Sequence, residues 1–346
     1  MNHLLSLAWL VRLASMLVLA AVTGSALAVD VNRYPPLKQL VAELEREGVY
    51  PAGKLVRLFR DAKINQSVLK AMDRQAEALP WHRYRKIFLG EDRIKQGAVF
   101  WRENRKILEQ AEQRYGVPPE IVVALLGVET FYGTRTGGMQ VFNSLTTLSA
   151  AYPRRSEFFT RELKIFLTLT SQEKIDPFSV KGSFAGAIGI PQFMPSSFQE
   201  YAVDFSDDGR RDLVSSFSDA IGSVGNYLEL NGWRRGGAVV ATVSGKVGPA
   251  ARKLVTKRAK PKLTLADLRQ AGVKDGYGKD STPVSLLRVQ EKNGYRYLIG
   301  YQNFYAITRY NPSVNYALAI WELSQAVKRR YRERYAGLIP EQADAG

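Results

Sequence analysis

The sequence predicts a mainly α-helical protein that carries a small β-containing insert. Three observations lead there. Apolar residues recur at three- and four-residue spacing through most of residues 31–230. Strand-like runs rich in Val, Leu and Tyr cluster between residues 238 and 305. Helical period returns over residues 311–335. With 346 residues, 45% hydrophobic and 24% charged, the chain has ordinary globular composition and enough length for a sizeable core.

Taken in order, residues 1–28 read as a secretory signal peptide. The run "LASMLVLAAVTGSALA" is apolar, short, and ends in small residues, with Ala26 and Ala28 forming an A-x-A-like site. The other reading is an uncleaved N-terminal anchor. Residues 29–237 form the helical body. "LKQLVAELEREGV" and "PAGKLVRLFRDAKINQSVLKAM" give early helices, and "RIKQGAVFWRENRKILEQAEQRYG" reads as one long helix closed by Gly116. "VPPEIVVALLGVETFYG" follows, with prolines placed for a helix start. Two helices are expected in 140–175, one after "YPRRS" with Ser156 as a possible cap. A Gly/Pro-rich loop, "DPFSVKGSFAGAIGIPQFMPSSFQEYA", precedes a helix over 219–230. Residues 238–305 are the β-containing insert, with Asn293-Gly294 as a hairpin signal. Residues 306–336 supply a terminal helix that packs back on the helical body, and 337–346 a flexible tail.

Residue usage removes several chemistries. There is no cysteine, so no disulfide framework, thiolate nucleophile or lipid-bearing N-terminal cysteine is available. The only histidines are His3 and His82, which nearly excludes a histidine triad or a His-rich zinc site. The formal net charge is +16, and Arg12 is the only charged residue of the first 28, so a basic protein is exported. That balance points to an anionic partner in the envelope, or simply to a soluble surface. The basic run at 251–262 reads as a solvated loop, and no nucleic-acid module signature is present.

Glu129 is the candidate chemical group. Ile121, Leu125 and Val128 lie at helical spacing, and Val122, Leu126 and Glu129 repeat it one step round, so the acid continues an apolar stripe. Desolvation there is expected to raise its pKa and keep it protonated, as a general acid needs. The plain alternative is an acid emerging at a frayed helix end or pairing with Arg135. The loop "KGSFAGAIGIPQFMPSS" mixes glycines, which let backbone approach a ligand, with Ser183, Gln192 and apolar side chains, a mix suited to a sugar cleft or merely to a helix connection.

Together, "GVETFYG", "YPRRSEFF", "KGSFAGAIGIPQFMPSSFQEYAVDF", "DAIGSVGNYL" and "FYAITRYNPSVNYALAIWEL" resemble the family B lytic murein transglycosylases, over about residues 34–335. The resemblance implies a lysozyme-like helical catalytic domain with extra N-terminal helices and a small β insert. It implies cleavage of the β-1,4 bond between N-acetylmuramic acid and N-acetylglucosamine, leaving a 1,6-anhydro end. Glu129 takes the catalytic position; Ser183, Gln192, Arg154, Arg155, Tyr227, Tyr310, Asn311 and Tyr316 take substrate-contacting ones. No second acid stands at a motif position, unlike the usual two-carboxylate glycosidase. Two other functions share this scaffold: a hydrolysing muramidase and a non-catalytic peptidoglycan-binding protein. The expected location is the periplasm and the expected partner the glycan strand, with other cell-wall enzymes as further partners. Nucleic acid is not expected, and a membrane only if the signal is retained.

Asp204, Ser206 and Asp208 alternate before Gly209, as in the first half of an EF-hand loop, with the Arg210 carbonyl next in the pattern. The twelfth position is Ser215 rather than Glu, and the resemblance moves the closing carboxylate to Asp219. A structural Ca²⁺ is the expected cofactor; an Asp/Gly-rich capping turn is the alternative. No organic cofactor is expected.

Overall fold

The computed structural model describes residues 29–74 and 79–335. The predicted signal peptide and C-terminal tail therefore lie outside the described residues. Among the described residues there are fifteen α-helices and six short or medium strands, and no helix is long and apolar enough to cross a membrane. They divide into two compact units, each assembled from discontinuous segments of chain.

The first unit comprises residues 79–132 and 221–335. It holds α4 (Trp81–Phe88), α5 (Glu91–Glu103), α6 (Arg105–Tyr115) and α7 (Pro119–Thr130). It also takes α11 (Phe217–Leu230) from Ile221 onward, together with α14 (Gln302–Tyr310) and α15 (Val314–Tyr335). The predicted long helix over 93–116 is broken: Asn104 ends α5, and its side-chain amide donates to the Phe100 carbonyl at 2.9 Å. A side chain that bonds its own backbone competes with the helical ladder. Gly116 closes α6 in the left-handed region, as expected. The terminal helix α15 packs on α5 and α7.

Every residue of α7 is buried. It is therefore not an amphipathic helix with one apolar stripe, as its spacing implies, but a helix enclosed on all sides. The acid at its end is not singled out by periodicity, because the whole helix is dry.

The insert in this unit is a four-stranded antiparallel sheet in the order β3 (Val240–Thr242), β6 (Gly294–Gly300), β5 (Pro283–Glu291), β4 (Leu263–Thr264). The β5–β6 hairpin runs in register from Ser285 opposite Gly300 to Glu291 opposite Gly294, and Gly294 supplies the positive φ, 113°. Two short helices escape the strand pattern: α12 (Pro249–Lys253), which overlaps the start of the basic run read as loop, and α13 (Leu265–Gln270). Thr264 and Asp267 form a capping box at α13, a signal legible in "TLAD".

The second unit comprises residues 29–74 and 133–220. It contains α1 (Pro35–Arg46), α2 (Lys54–Asp61), α3 (Gln66–Arg74), α8 (Val141–Ala151), α9 (Ser156–Gln172) and α10 (Pro195–Tyr201). A two-stranded ladder pairs β1 (Met139–Gln140) with β2 (Lys181–Gly182). Its core joins Leu37, Leu40, Phe59, Phe142, Phe159 and Phe166. Ser156 opens α9 but does not cap it: its hydroxyl donates back to the Ser149 carbonyl. The helix that carries such a cap is α10, where Ser196 gives both its N–H, at 2.9 Å, and its hydroxyl, at 2.7 Å, to the buried carboxylate of Glu162. A carboxylate at the start of a helix satisfies orphan donors and meets the positive end of the dipole.

Candidate active site

Glu129 is 2% exposed at the last turn of α7. The chain then leaves the helix through two consecutive non-glycine residues in the left-handed region, Phe131 (φ 50°) and Tyr132 (φ 60°). Such a pair is costly and persists only where surroundings over-determine it. Here they do. The Tyr132 N–H reaches back to the Leu126 carbonyl at 3.1 Å, and its hydroxyl donates to the Arg93 carbonyl at 2.8 Å. Arg93, itself buried, donates from Nε to the Gly127 carbonyl at 3.0 Å and lies 5.1 Å from the Phe131 ring. Gly127 leaves room for this fold-back, since a Cβ there would sit 2.6 Å from Tyr132 Oη. The motif "GVETFYG" is thus a clamped turn that holds the last turn of α7 in one conformation.

One tyrosine bonds the acid, and a second feels its charge. The Tyr316 hydroxyl donates to Glu129 Oε1 at 2.5 Å. Ser313 fixes Tyr316 by capping α15, its hydroxyl accepting the Tyr316 N–H at 3.1 Å. Tyr84 comes from α4. Its hydroxyl is buried and has no hydrogen-bond partner among the described residues. Burial, reinforced by the negative charge of Glu129, pushes its ionisation far above the ordinary range, so it stays a neutral donor. The sequence reading missed Tyr84. It shares an apolar helical pattern with Trp81 and Phe88, and nothing local marks it as an active-site group.

The same unit holds Tyr227, Tyr310 and Asn311. The two tyrosine rings lie 4.7 Å apart, and the Tyr227 hydroxyl donates to the Arg309 carbonyl at 2.6 Å. Asn311 is 1% exposed, and neither its amide nitrogen nor its carbonyl oxygen has a protein partner among the described residues. A buried, unsatisfied amide is costly unless a ligand or water meets it.

Ser183, Gln192, Arg154 and Arg155 belong to the second unit, as do the acidic-loop residues. The Ser183 hydroxyl accepts the Ala187 N–H at 3.0 Å inside a tight turn. Gln192 has φ 52°, and its amide donates to the carbonyls of Thr136 (3.0 Å) and Gly189 (2.9 Å). The loop glycines serve a different end from the one their sequence implies. A Cβ at Gly182 would collide with the Ala187 carbonyl, and one at Gly189 with the Leu213 carbonyl. They admit the chain's own backbone. Arg154 is exposed, whereas Arg155 stacks over the Phe158 ring at 4.2 Å and has a buried Nη1 without a partner. Burial draws its pKa downward, against the opposing pull of Tyr152 and Glu162.

In the acidic loop the first half matches the expected fold and the second departs from it. Asp204 accepts the Asp208 N–H at 3.2 Å and the Gly209 N–H at 2.7 Å, with Gly209 at φ 84°. This leaves Asp204, Ser206, Asp208 and the Arg210 carbonyl as an oxygen set of the type a hard cation takes. Asp219 is fully buried, and its carboxylate accepts N–H groups from Phe205, Ser206 and Asp212, each at 2.9 Å, so it ties the loop together from within. Three donors leave one of its acceptor sites open. Among the described residues no three Asp, Glu or His side chains converge as a metal-holding group.

Residues 33–325 match the family described as Transglycosylase SLT domain. Membrane-bound lytic murein transglycosylase B of Escherichia coli strain K12 is 40% identical over 308 residues, which cover 86% of this chain and 84% of that one. Among solved structures, the E. coli lytic transglycosylase Slt35 in complex with calcium superposes with a TM-score of 0.80 at 40% identity, covering 88% of this chain and 96% of that one. SltB3 from Pseudomonas aeruginosa in complex with NAG-anhNAM-pentapeptide does so with a TM-score of 0.71 at 30% identity, covering 84% and 78%. With a buried acid bonded by a tyrosine and a match running through nearly all of its described length, the chain belongs to the transglycosylase SLT domain family of lysozyme-like lytic transglycosylases.

Proposed function

We propose that the protein is a peptidoglycan lytic transglycosylase in which Glu129 alone serves as acid and then base. The observation that carries this reading is a nearly inaccessible carboxyl bonded by the Tyr316 hydroxyl, with the buried Tyr84 hydroxyl kept neutral in part by its charge. Glu129 donates its proton to the glycosidic oxygen as the C1–O bond breaks. The carboxylate so formed takes the proton of the muramoyl C6 hydroxyl as that oxygen bonds to C1. No water is consumed, and Glu129 ends protonated as it began. Tyr316 orients the carboxyl and stabilises the anion by donation. Positive charge at C1 falls to the substrate's own N-acetyl group.

The substrate-facing groups of the first unit are Tyr227, Tyr310 and Asn311, whose unsatisfied amide suits a sugar hydroxyl or acetamido group. The protein acts on glycan strands in the periplasm after loss of residues 1–28. Asp204, Ser206, Asp208, the Arg210 carbonyl and Asp219 hold Ca²⁺ as a loop-pinning ion, with Asp219 also tying the loop together through its three N–H partners. A chelator should then lower the melting temperature, and an unchanged temperature would remove the ion from the account. Digestion of purified sacculi tests the main reading: anhydro-ended muropeptides are expected, and reducing ends or no soluble product would contradict it.

A further inference from the structure

The same helices that surround Glu129 build a second, separate pocket on their other faces. Helix α4 carries Tyr84, which feels the charge of the acid, and gives Arg85, and Leu89 just past its end, to this pocket; α15 gives Tyr316 to the acid but Leu318, Trp321, Glu322, Gln325 and Arg329 to this pocket. The β insert closes the other side with Val240 and Thr242 of β3 and Arg296 and Leu298 of β6. The cavity is about 420 Å³, within the roughly 300–1,000 Å³ of small-ligand sites. It is too small for a glycan strand.

Its chemistry is specific. The floor is apolar, with Leu89, Ile94, Leu298 and Leu318. The rim carries three arginines and one carboxylate, and Arg296 also pairs with Glu291 at 3.2 Å behind the rim. Glu322 accepts from Arg296 at 2.7 Å and from Arg85 at 3.3 Å, so it spaces two guanidinium groups rather than cancelling the site. Arg296 is held further by the Trp81 ring, 5.6 Å away. The neighbours of Arg329 on α15 are engaged: Lys328 bonds Glu120 at 2.7 Å and Arg330 bonds Glu91 at 2.5 Å. Arg329 has no carboxylate partner among the described residues. Guanidinium forks match carboxylates, and an apolar floor beside them suits a short aliphatic body. With the half-buried Glu322 and Glu291 set against the three arginines, the cluster keeps one net positive charge, which a monoanion balances and a dianion such as phosphate exceeds. Finally, β3 is an edge strand of the sheet, so its free backbone edge stands beside the pocket.

We propose that this Arg85–Arg296–Arg329 pocket binds the free C-terminal carboxylate of a short peptide, the peptide lying along the β3 edge. Given the lytic transglycosylase reading, on which the source of the ligand rests, that peptide is the stem of the peptidoglycan strand. The enzyme would then grip its polymer at a point away from the bond it cuts.

Calorimetric titration of the full chain with N-acetyl-D-Ala-D-Ala, which carries one free carboxylate, tests this, with the C-terminal amide of the same dipeptide alongside. The acid is expected to bind, more weakly as salt rises, and the amide to bind at least about tenfold more weakly. Arg329→Gln combined with Arg85→Gln, both at exposed positions, should weaken the acid by roughly tenfold or more. Equal binding of acid and amide, unchanged affinity in the double variant, or inorganic phosphate competing better than the dipeptide would overturn the proposal. Glu129→Gln should bind the dipeptide as the parent chain does. Failed binding therefore condemns the pocket, whereas a failed sacculus digestion condemns the catalytic reading.

Discussion

The surroundings of Glu129 and the glycine–glutamine loop of the second unit both hold side chains at strained backbone positions, yet they handle polar groups in opposite ways. In the loop, Gln192 sits at φ 52° but spends its amide on the carbonyls of Thr136 and Gly189, and Ser183 is closed into its own turn. Around Glu129 the strain of Phe131 and Tyr132 is clamped by Arg93, while the Tyr84 hydroxyl and, in the same unit, the Asn311 side-chain amide remain buried and unpaired. The loop resolves its hydrogen bonds internally and so acts as scaffold. The wall around the acid leaves them open and so is built for a ligand. Activity should be more sensitive than stability in the wall, and stability more sensitive than activity in the loop.

The sharpest way to break that contrast is Glu129→Gln. Loss of the acid should cut turnover of sacculi by about 10²–10⁴-fold and leave the urea midpoint near that of the parent. Next is Gly189→Ala in the loop. The added Cβ would strike the Leu213 carbonyl at a residue with φ 70°, and the combined clash and strain should destabilise by about 3 kcal/mol, seen as a fall in the urea midpoint. A midpoint that did not move would mean the loop is not the scaffold described. Tyr84→Phe should separate the two quantities in the other direction. Removing a buried hydroxyl without a partner should leave stability unchanged or raise it by about 1 kcal/mol, while turnover falls by about tenfold or more. Parallel losses of both would make Tyr84 a packing residue.

The smallest expected effect is on pH. For Asp204 and Asp212 burial favours the neutral acid. Hydrogen bonds to the carboxylate, from the Gly209 and Asp208 backbone in one case and Ser215 in the other, outweigh it and hold both pKa values below the usual range. Folded values below unfolded ones mean that their stabilisation is complete above about pH 4 and is lost as pH falls through the folded values. Thermal stability should be flat in this respect near neutrality and decline below about pH 4, and Asp212→Asn should blunt the decline. A slope centred near neutrality would point to other groups.

How much of this was legible in the sequence depends on how local each cause is. The turn at Gly116, the hairpin at Gly294 and the acid at the end of α7 follow from nearby residues. The break at Asn104 was written in one side chain that the helical period masks. The enclosure of α7 on every side was not legible as a stripe, because an all-apolar helix carries little periodicity. Tyr84, Arg93 and Glu162 escaped for another reason: each acts on a partner far along the chain, and no spacing rule connects them. Asp219 was placed as the closing carboxylate by the family resemblance, while its three N–H partners are visible only in the folded loop.

The central claim is that one carboxyl, Glu129, passes a proton out and takes it back from the sugar itself. Digestion of sacculi in ¹⁸O-labelled water, followed by mass spectrometry of the released muropeptides, tests it most directly. The account predicts 1,6-anhydro ends that carry no label, and none released by Glu129→Gln. Labelled reducing ends, or undiminished release by the variant, would contradict it.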